Sequence, residues 1–225
     1  MTLLLVLVTI VSFLLVDLFY QKIKTNKTIF TSNYGNLKNF RSFSYQNLLI
    51  PQNHFYSEGH TSFRISETGN LFVGIDDFAK SFLGEIRTVT PINQTNIQKG
   101  SSLFNIKTDS GEFEFKSPIS GNVLKFNESI FNGLNPLNNS SDDSNWICMV
   151  EPVKLSEEIK SARIAEEAKE WFKNEITRLK DFLSINSSFV SPASATLYDG
   201  GELIYGISNT LDKEKLNKFQ KEFLA

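Results

Sequence analysis

The side chains able to do chemistry are few. His54, His60 and Cys148 are the only histidines and cysteine of the chain, too few for a His/Cys metal site of ordinary spacing, so no metal ligand is assigned. A lone cysteine leaves no internal disulfide, which fits a reducing compartment, and Cys148 reads as a buried apolar strand residue. Asp109-Ser110-Gly111 sets a hydroxyl beside a carboxylate. A serine nucleophile needs a base such as histidine, and none lies near it in sequence, so the triplet reads as a tight turn. Asp76-Asp77, ahead of Phe78 and Phe82, reads as helix capping. Asp199-Gly200-Gly201 lacks the strand, glycine-rich loop and lysine-bearing helix of a phosphate loop and reads as a turn. An enzyme built on Ser191 to Ala225 would need clustered acid, base and nucleophile, and that stretch has scattered carboxylates and no histidine. No catalytic residue is assigned.

The elements that must position these groups begin with an apolar run. Met1 to Val16 carries no charged side chain, and the run from Leu3 to Tyr20 is broken only by Asp17. That is close to the roughly 20 residues a helix needs to cross a bilayer core. No Lys or Arg precedes it and no small-x-small cleavage site follows, which favours an uncleaved anchor over a signal peptide. Lys22, Lys24 and Lys27 follow directly, so the positive-inside rule places the N-terminus outside and the body in the cytoplasm. Phe19 and Tyr20 would sit at the inner interface. Asp17 reads either as an interfacial carboxylate or as a contact with a partner's helix. Residues 21–54 mix polar side chains with scattered aromatics and read as a juxtamembrane tether.

The remainder is ample for a core, since 40% of the 225 residues are hydrophobic and 20 are Phe. A formal charge of -2 leaves no basic surplus to neutralise phosphates, which excludes nucleic acid as the expected partner. From Phe55 to Pro152 short β runs alternate with turn residues. Thr61–Ile65 and Leu71–Ile75 flank a turn at Glu67-Thr68-Gly69-Asn70, and further strands are expected at Glu85–Val89, Leu103–Thr108, Glu112–Lys116, Val123–Phe126 and Trp146–Glu151. A short helix through Phe78 and Phe82 should stop at Gly84. After Pro152 the period becomes helical: Leu155, Ile159, Ala162, Ala165, Ala168, Phe172, Ile176, Leu179 and Leu183 predict one long helix, with Ser156 as its cap. Ala195–Tyr198 and Leu203–Ile207 around Asp199-Gly200-Gly201 predict a hairpin, and a last helix from about Asp212 carries Leu216, Phe219 and Phe223 on one side.

The β region resembles the H-protein of the glycine cleavage system, a lipoyl-carrying relative of the biotinyl and lipoyl domains. The likeness runs in order through Gly59-His60-Thr61-Ser62-Phe63, Val73-Gly74-Ile75-Asp76-Asp77-Phe78-Ala79, Leu83-Gly84, Gln98-Lys99-Gly100, Ser117-Pro118-Ile119-Ser120-Gly121-Asn122-Val123 with Asn127-Glu128, and Trp146-Ile147. It covers residues 55–153 and implies a flattened β barrel-sandwich. It also implies a lipoyl lysine at a hairpin tip, ten residues after the glycine of Lys-Gly and eight before the proline. Counted from Gly100 and from Pro118, that position is Ser110. A serine has no amine to form the lipoyl amide, so no cofactor is assigned. Lys107 and Lys116 flank the turn on its strands. His60 corresponds to the histidine of the family's His-Glu-Trp motif, followed here by Thr61 and Ser62, and reads as a structural hydrogen-bonding residue.

The expected architecture is therefore α+β: a transmembrane helix at 1–20, a tether at 21–54, an H-protein-like barrel-sandwich at 55–153, and a helix, hairpin and final helix at 154–225. The expected role is a non-catalytic, membrane-anchored accessory or scaffold subunit of a membrane complex, with no small-molecule substrate. A carrier bearing its group on a non-standard lysine, Lys107, is the alternative.

Overall fold

Turn residues in the sequence become strand ends in the fold. The computed structural model describes residues 42–92, 94–131, 137, 145–186 and 203–225. The chain divides into Met1–Phe40 and Arg41–Ala225, and everything described lies in the second unit. The apolar run at 1–20, with Asp17, falls outside the described residues. Among the described residues no helix is long and apolar enough to cross a membrane.

In chain order the strands β1 (Ser42–Phe43), β2 (Phe55–Tyr56), β3 (Thr61–Ile65) and β4 (Leu71–Ile75) lead into helix α1 (Asp77–Leu83). Then come β5 (Ile86–Pro91), β6 (Asn96–Ile97), β7 (Ser102–Thr108), β8 (Glu112–Lys116) and β9 (Gly121–Phe126). Helix α2 (Glu128–Phe131), β10 (Cys148–Pro152), α3 (Leu155–Glu158), β11 (Arg163–Ile164) and α4 (Ala165–Asn186) follow, and β12 (Leu203–Ile204) and α5 (Lys213–Phe223) end the chain. A seven-stranded sheet in the order β11-β2-β3-β4-β10-β9-β6 and a three-stranded sheet β5-β7-β8 carry the barrel-sandwich, and β1 pairs with β12 apart from them. All pairings are antiparallel.

Phenylalanine makes much of the core. Phe63, Phe78, Phe82, Phe104, Phe113, Phe115, Phe172, Phe219 and Phe223 are all essentially sealed from water, and each such burial stabilises by about 1.5–3 kcal/mol before entropy is counted. In β8 the alternation of Phe113 and Phe115 inside with Glu112 and Glu114 outside is the period-two pattern of a half-buried strand. Gly121 sits where β9 crosses β10: a Cβ there would lie 2.3 Å from the carbonyl oxygen of Glu151, so only glycine allows the approach.

Three expectations change after residue 153 and before residue 54. The single long helix is broken: α3 ends in a 3-10 turn at Ile159–Ser161, Ala162 is extended, and Arg163–Ile164 form a strand on Tyr56 and Phe55 before α4 begins. Strand pairing overrides a helical period that the sequence carries without interruption. Ser156 does not cap. The residue at the start of α3 is Lys154, without a side-chain bond, and Glu158 instead turns its carboxylate to Ser120, accepting from its N and Oγ at 2.6 Å each. The hairpin expected at 195–207 is described only in part. Its first strand and turn lie outside the described residues, and its second, β12, pairs with β1 from the expected tether, Phe43 opposite Leu203. From Ser42 onward that stretch is part of the body, because Phe43, 2% exposed, finds an apolar seat edge-on to Phe78 at 5.6 Å.

Candidate functional site

The β7–β8 hairpin is where the family resemblance implies an attachment lysine. Its register pairs Lys107 with Glu112 and Ile106 with Phe113, and the turn closes with Thr108 N donating to Gly111 O at 2.8 Å. Ser110 is therefore at the tip, where counting from Gly100 and Pro118 placed it.

Its hydroxyl is committed. Ser110 Oγ donates to Ser208 Oγ at 3.0 Å, and Ser208 Oγ donates to the Leu83 carbonyl at 3.0 Å. The proton of Ser110 Oγ being committed to Ser208, Thr108 Oγ1 lies 2.8 Å from Ser110 Oγ and also donates to Gly111 O at 3.4 Å. Ser208 is fully buried and Thr108 nearly so. Outside the turn, Arg87 grips Asp109 with two hydrogen bonds, Nε to Oδ1 at 2.9 Å and Nη2 to Oδ2 at 2.8 Å, and reaches Glu85 at 2.8 Å. The Arg87 guanidinium holds the Asp109 carboxyl below its ordinary value.

A lipoyl group does not fit this tip. It needs a primary amine free to carry a long arm, and the tip offers a half-buried hydroxyl held in a three-hydroxyl chain. Lys107 is exposed on β7 and Lys116 half-buried on β8, both on strands and not at the turn.

His60 forms a second polar cluster. It is fully buried and sits in the left-handed region at φ 56. Its ring stacks on Phe78 at 4.1 Å and on Trp171 at 5.0 Å. Nδ1 is 2.8 Å from Asp76 Oδ2, and Nε2 is 3.6 Å from Glu175 Oε2, an ion-pair separation longer than a hydrogen bond. Burial opposes charge on the imidazole, but the two carboxylates outweigh it and raise its pKa above the ordinary value. For Glu175, burial pushes up and His60 with Arg178 pull down more strongly, so its pKa is lowered. Asp76 serves twice, because its Oδ1 also caps α1 by accepting from Ala79 N at 2.8 Å. Asp77 accepts from Leu49 N at 3.0 Å.

The other candidates stay apart from these. Cys148 is sealed in β10, its thiol pushed up to about 12 by burial. His54 shares a contact with Asn53 Oδ1 at 3.0 Å and lines an open cleft of about 430 Å³ with Tyr56, Arg64, Phe72, Lys80 and Trp146. Asp17 and Asp199-Gly200-Gly201 lie outside the described residues. Ser208 and Glu175 carried no signal in the sequence: each is a common residue type whose role exists only through a contact distant along the chain.

The family model for "Glycine cleavage H-protein" matches residues 54–175, more than half of the chain and beyond Val153 into α4. Among curated proteins, the "probable glycine cleavage system H protein" of Pyrococcus abyssi is 30% identical over 121 residues, covering 53% of this chain and 90% of that protein. The "glycine cleavage system H protein" of Listeria monocytogenes is 30% identical over 106 residues, covering 47% and 84%. Among solved structures, a glycine cleavage system H protein from Mycobacterium marinum aligns with a TM-score of 0.45 at 19% identity, covering 56% of this chain and 98% of that one. The matched span holds the hairpin whose tip is Ser110, and through that span this chain belongs to the glycine cleavage H-protein family.

Proposed function

We propose that the chain is a non-catalytic member of its family that no longer carries a lipoyl group and works as a membrane-tethered accessory or scaffold subunit of a membrane complex. The observation that carries this reading is the hairpin tip: Ser110 stands where the family's attachment lysine is expected, with its hydroxyl bound to Thr108 and Ser208. Without an attached arm the domain has no means of shuttling an aminomethyl group, and what the fold retains is a surface. The apolar run from Leu3 to Tyr20 supports the membrane tether, with the body in the cytoplasm and Asp17 as a contact for a partner's helix.

Gentle detergent extraction tests the scaffold role. Other membrane proteins are expected to co-purify with the chain and to be lost when residues 1–20 are replaced by an unrelated anchor. A chain that is always monomeric and alone would overturn it.

A second reading keeps the carrier function, with the group on Lys107. It is favoured by the relatives, which are named glycine cleavage system H proteins. Intact mass spectrometry of the chain from cells able to lipoylate decides between the two: the unmodified mass supports the scaffold, and an added lipoyl mass the carrier.

A further inference from the structure

The family match ends at residue 175, yet the residues from 203 onward are bonded to the very hairpin on which that family's chemistry depends. Gly206 N donates to Ser81 O at 2.7 Å and Tyr205 Oη to Gly84 O at 3.2 Å, fixing the segment against the end of α1. Ser208 then binds Ser110 at the tip. One helical stretch later, α5 lays its apolar side over the same region: Leu216 against Gly111, Phe219 stacked on Phe82 at 3.5 Å, and Phe223 stacked on Phe78 at 6.1 Å. Asp212 starts this helix by accepting from Lys215 N at 2.9 Å.

Gln220 adds a contact that apolar packing does not require. β8 is an outer strand of its sheet, so the N–H and carbonyl of Glu114 face away from β7, where a further strand would add. Gln220 Oε1 accepts from Glu114 N at 3.1 Å and its Nε2 donates to Glu114 O at 2.7 Å. One side-chain amide thus reproduces the pair of bonds a neighbouring strand would make.

The geometry points to residues 203–224 as a built-in cap: the face beside Ser110 is a groove for an amphipathic helix, filled in cis by this chain's own Leu216, Phe219, Gln220 and Phe223. This rests on the reading that the tip carries no lipoyl arm, since an arm would have to leave through the same groove. While the cap is seated, the Ser110 hydroxyl is held against Ser208, and a modifying enzyme or partner protein meets the tip only through its exposed Asp109 side. Partners of the scaffold must therefore use other faces or displace the cap.

The chain offers a clean probe. Cys148 is buried and its thiol pushed up to about 12, so a cysteine introduced elsewhere is the reactive one. Full-length Ser110→Cys and, as the exposed-turn control, full-length Thr68→Cys are labelled with a maleimide in mild detergent. Ser110→Cys is expected to react about ten-fold or more slowly, because reaction waits on local opening of the cap. Adding Phe219→Asp should bring its rate to within about three-fold of the control while the domain still melts cooperatively. Should that variant fail to fold, Ser110→Cys with Gln220→Ala, which removes only the strand-like contact, must still react faster than Ser110→Cys alone. Equal rates for Ser110→Cys and Thr68→Cys, or no acceleration in a folded cap variant, would overturn the cap. Intact mass spectrometry reads the absence of a lipoyl group independently, so an exposed but unmodified tip would refute the cap and leave that absence standing.

Discussion

Replacing Glu175 by glutamine weakens the electrostatics of the His60 cluster and also removes the ion pair of Glu175 with Arg178. The carboxylate and the imidazole nitrogen are 3.6 Å apart, and two unit charges at that distance attract by about 4–5 kcal/mol at an effective dielectric of about 20. Burial of both groups offsets much of this, and Asp76 at 2.8 Å remains as a second partner in the variant. The expected net loss from Glu175→Gln at pH 6.5 is therefore about 1–3 kcal/mol. The pH dependence carries the sharper signature. His60 has its pKa raised from 6.5, so its contribution is complete below 6.5 and is lost as pH rises through the folded value. Glu175 has its pKa lowered from 4.5, so its contribution is present above 4.5 and is lost as pH falls through the folded value. Wild-type stability should peak between these limits and decline above 6.5 with a slope of at most about 1.4 kcal/mol per pH unit, one proton's worth. Urea unfolding from pH 5.5 to 9 measures this. In Glu175→Gln the alkaline decline should start at lower pH, since one of the two groups holding the proton is gone. A wild-type curve flat from 6.5 to 9, or a variant with unchanged midpoint and slope, refutes the charged-imidazole account.

Three further substitutions test the packing. Phe219→Ala removes a ring fully buried between Phe82 and Phe223, and thermal melts should show a loss of about 3–5 kcal/mol. Asp76→Ala deletes both the α1 cap and the closest partner of His60; denaturant melts should register about 2–4 kcal/mol, more than Asp212→Ala, which deletes an exposed cap and an exposed ion pair with Lys215. Arg87→Ala breaks the bridge to Asp109 at the rim of the tip, and because both groups are exposed the melting temperature should stay where it is.

Local chemistry was legible from the residues. Glu67-Thr68-Gly69-Asn70 punctuates a hairpin, Asp76 caps and Gly84 ends α1, and Phe113 and Phe115 alternate with glutamates along β8, because each of these follows from neighbours in the chain. The position of Ser110 was equally legible, by counting from Gly100 and Pro118. What surrounds Ser110 was not. Ser208 is 98 residues away and Gln220 is 106 residues from Glu114, and no periodicity encodes which outer strand a distant glutamine will meet. The break before α4 was hidden for a related reason: Ala162 and Ala165 suit a helix, and only the pairing of Arg163 and Ile164 with β2, with Ala165 held at φ 52, pulls the chain out of it. His60 was read as a hydrogen-bonding residue, but its second carboxylate, Glu175, lies on a helix whose face toward the barrel depends on where that break falls.

Gly84 and Gly206 touch backbone to backbone: a Cβ on Gly84 would lie 2.6 Å from Gly206 Cα, and both residues hold positive φ, 76 and 73. A side chain on Gly84 would displace Gly206, and one on Gly206 would meet Gly84 Cα at 3.3 Å in a backbone conformation that favours glycine. Gly84 lies inside the matched span and Gly206 outside it, so the segment beyond the match docks where the matched domain presents bare backbone. The pair is consequently a marker of docking. In any other chain that joins this domain to a similar extension, glycine at both positions should accompany docking at the tip, and a bulkier residue at the first should mean that the extension settles elsewhere.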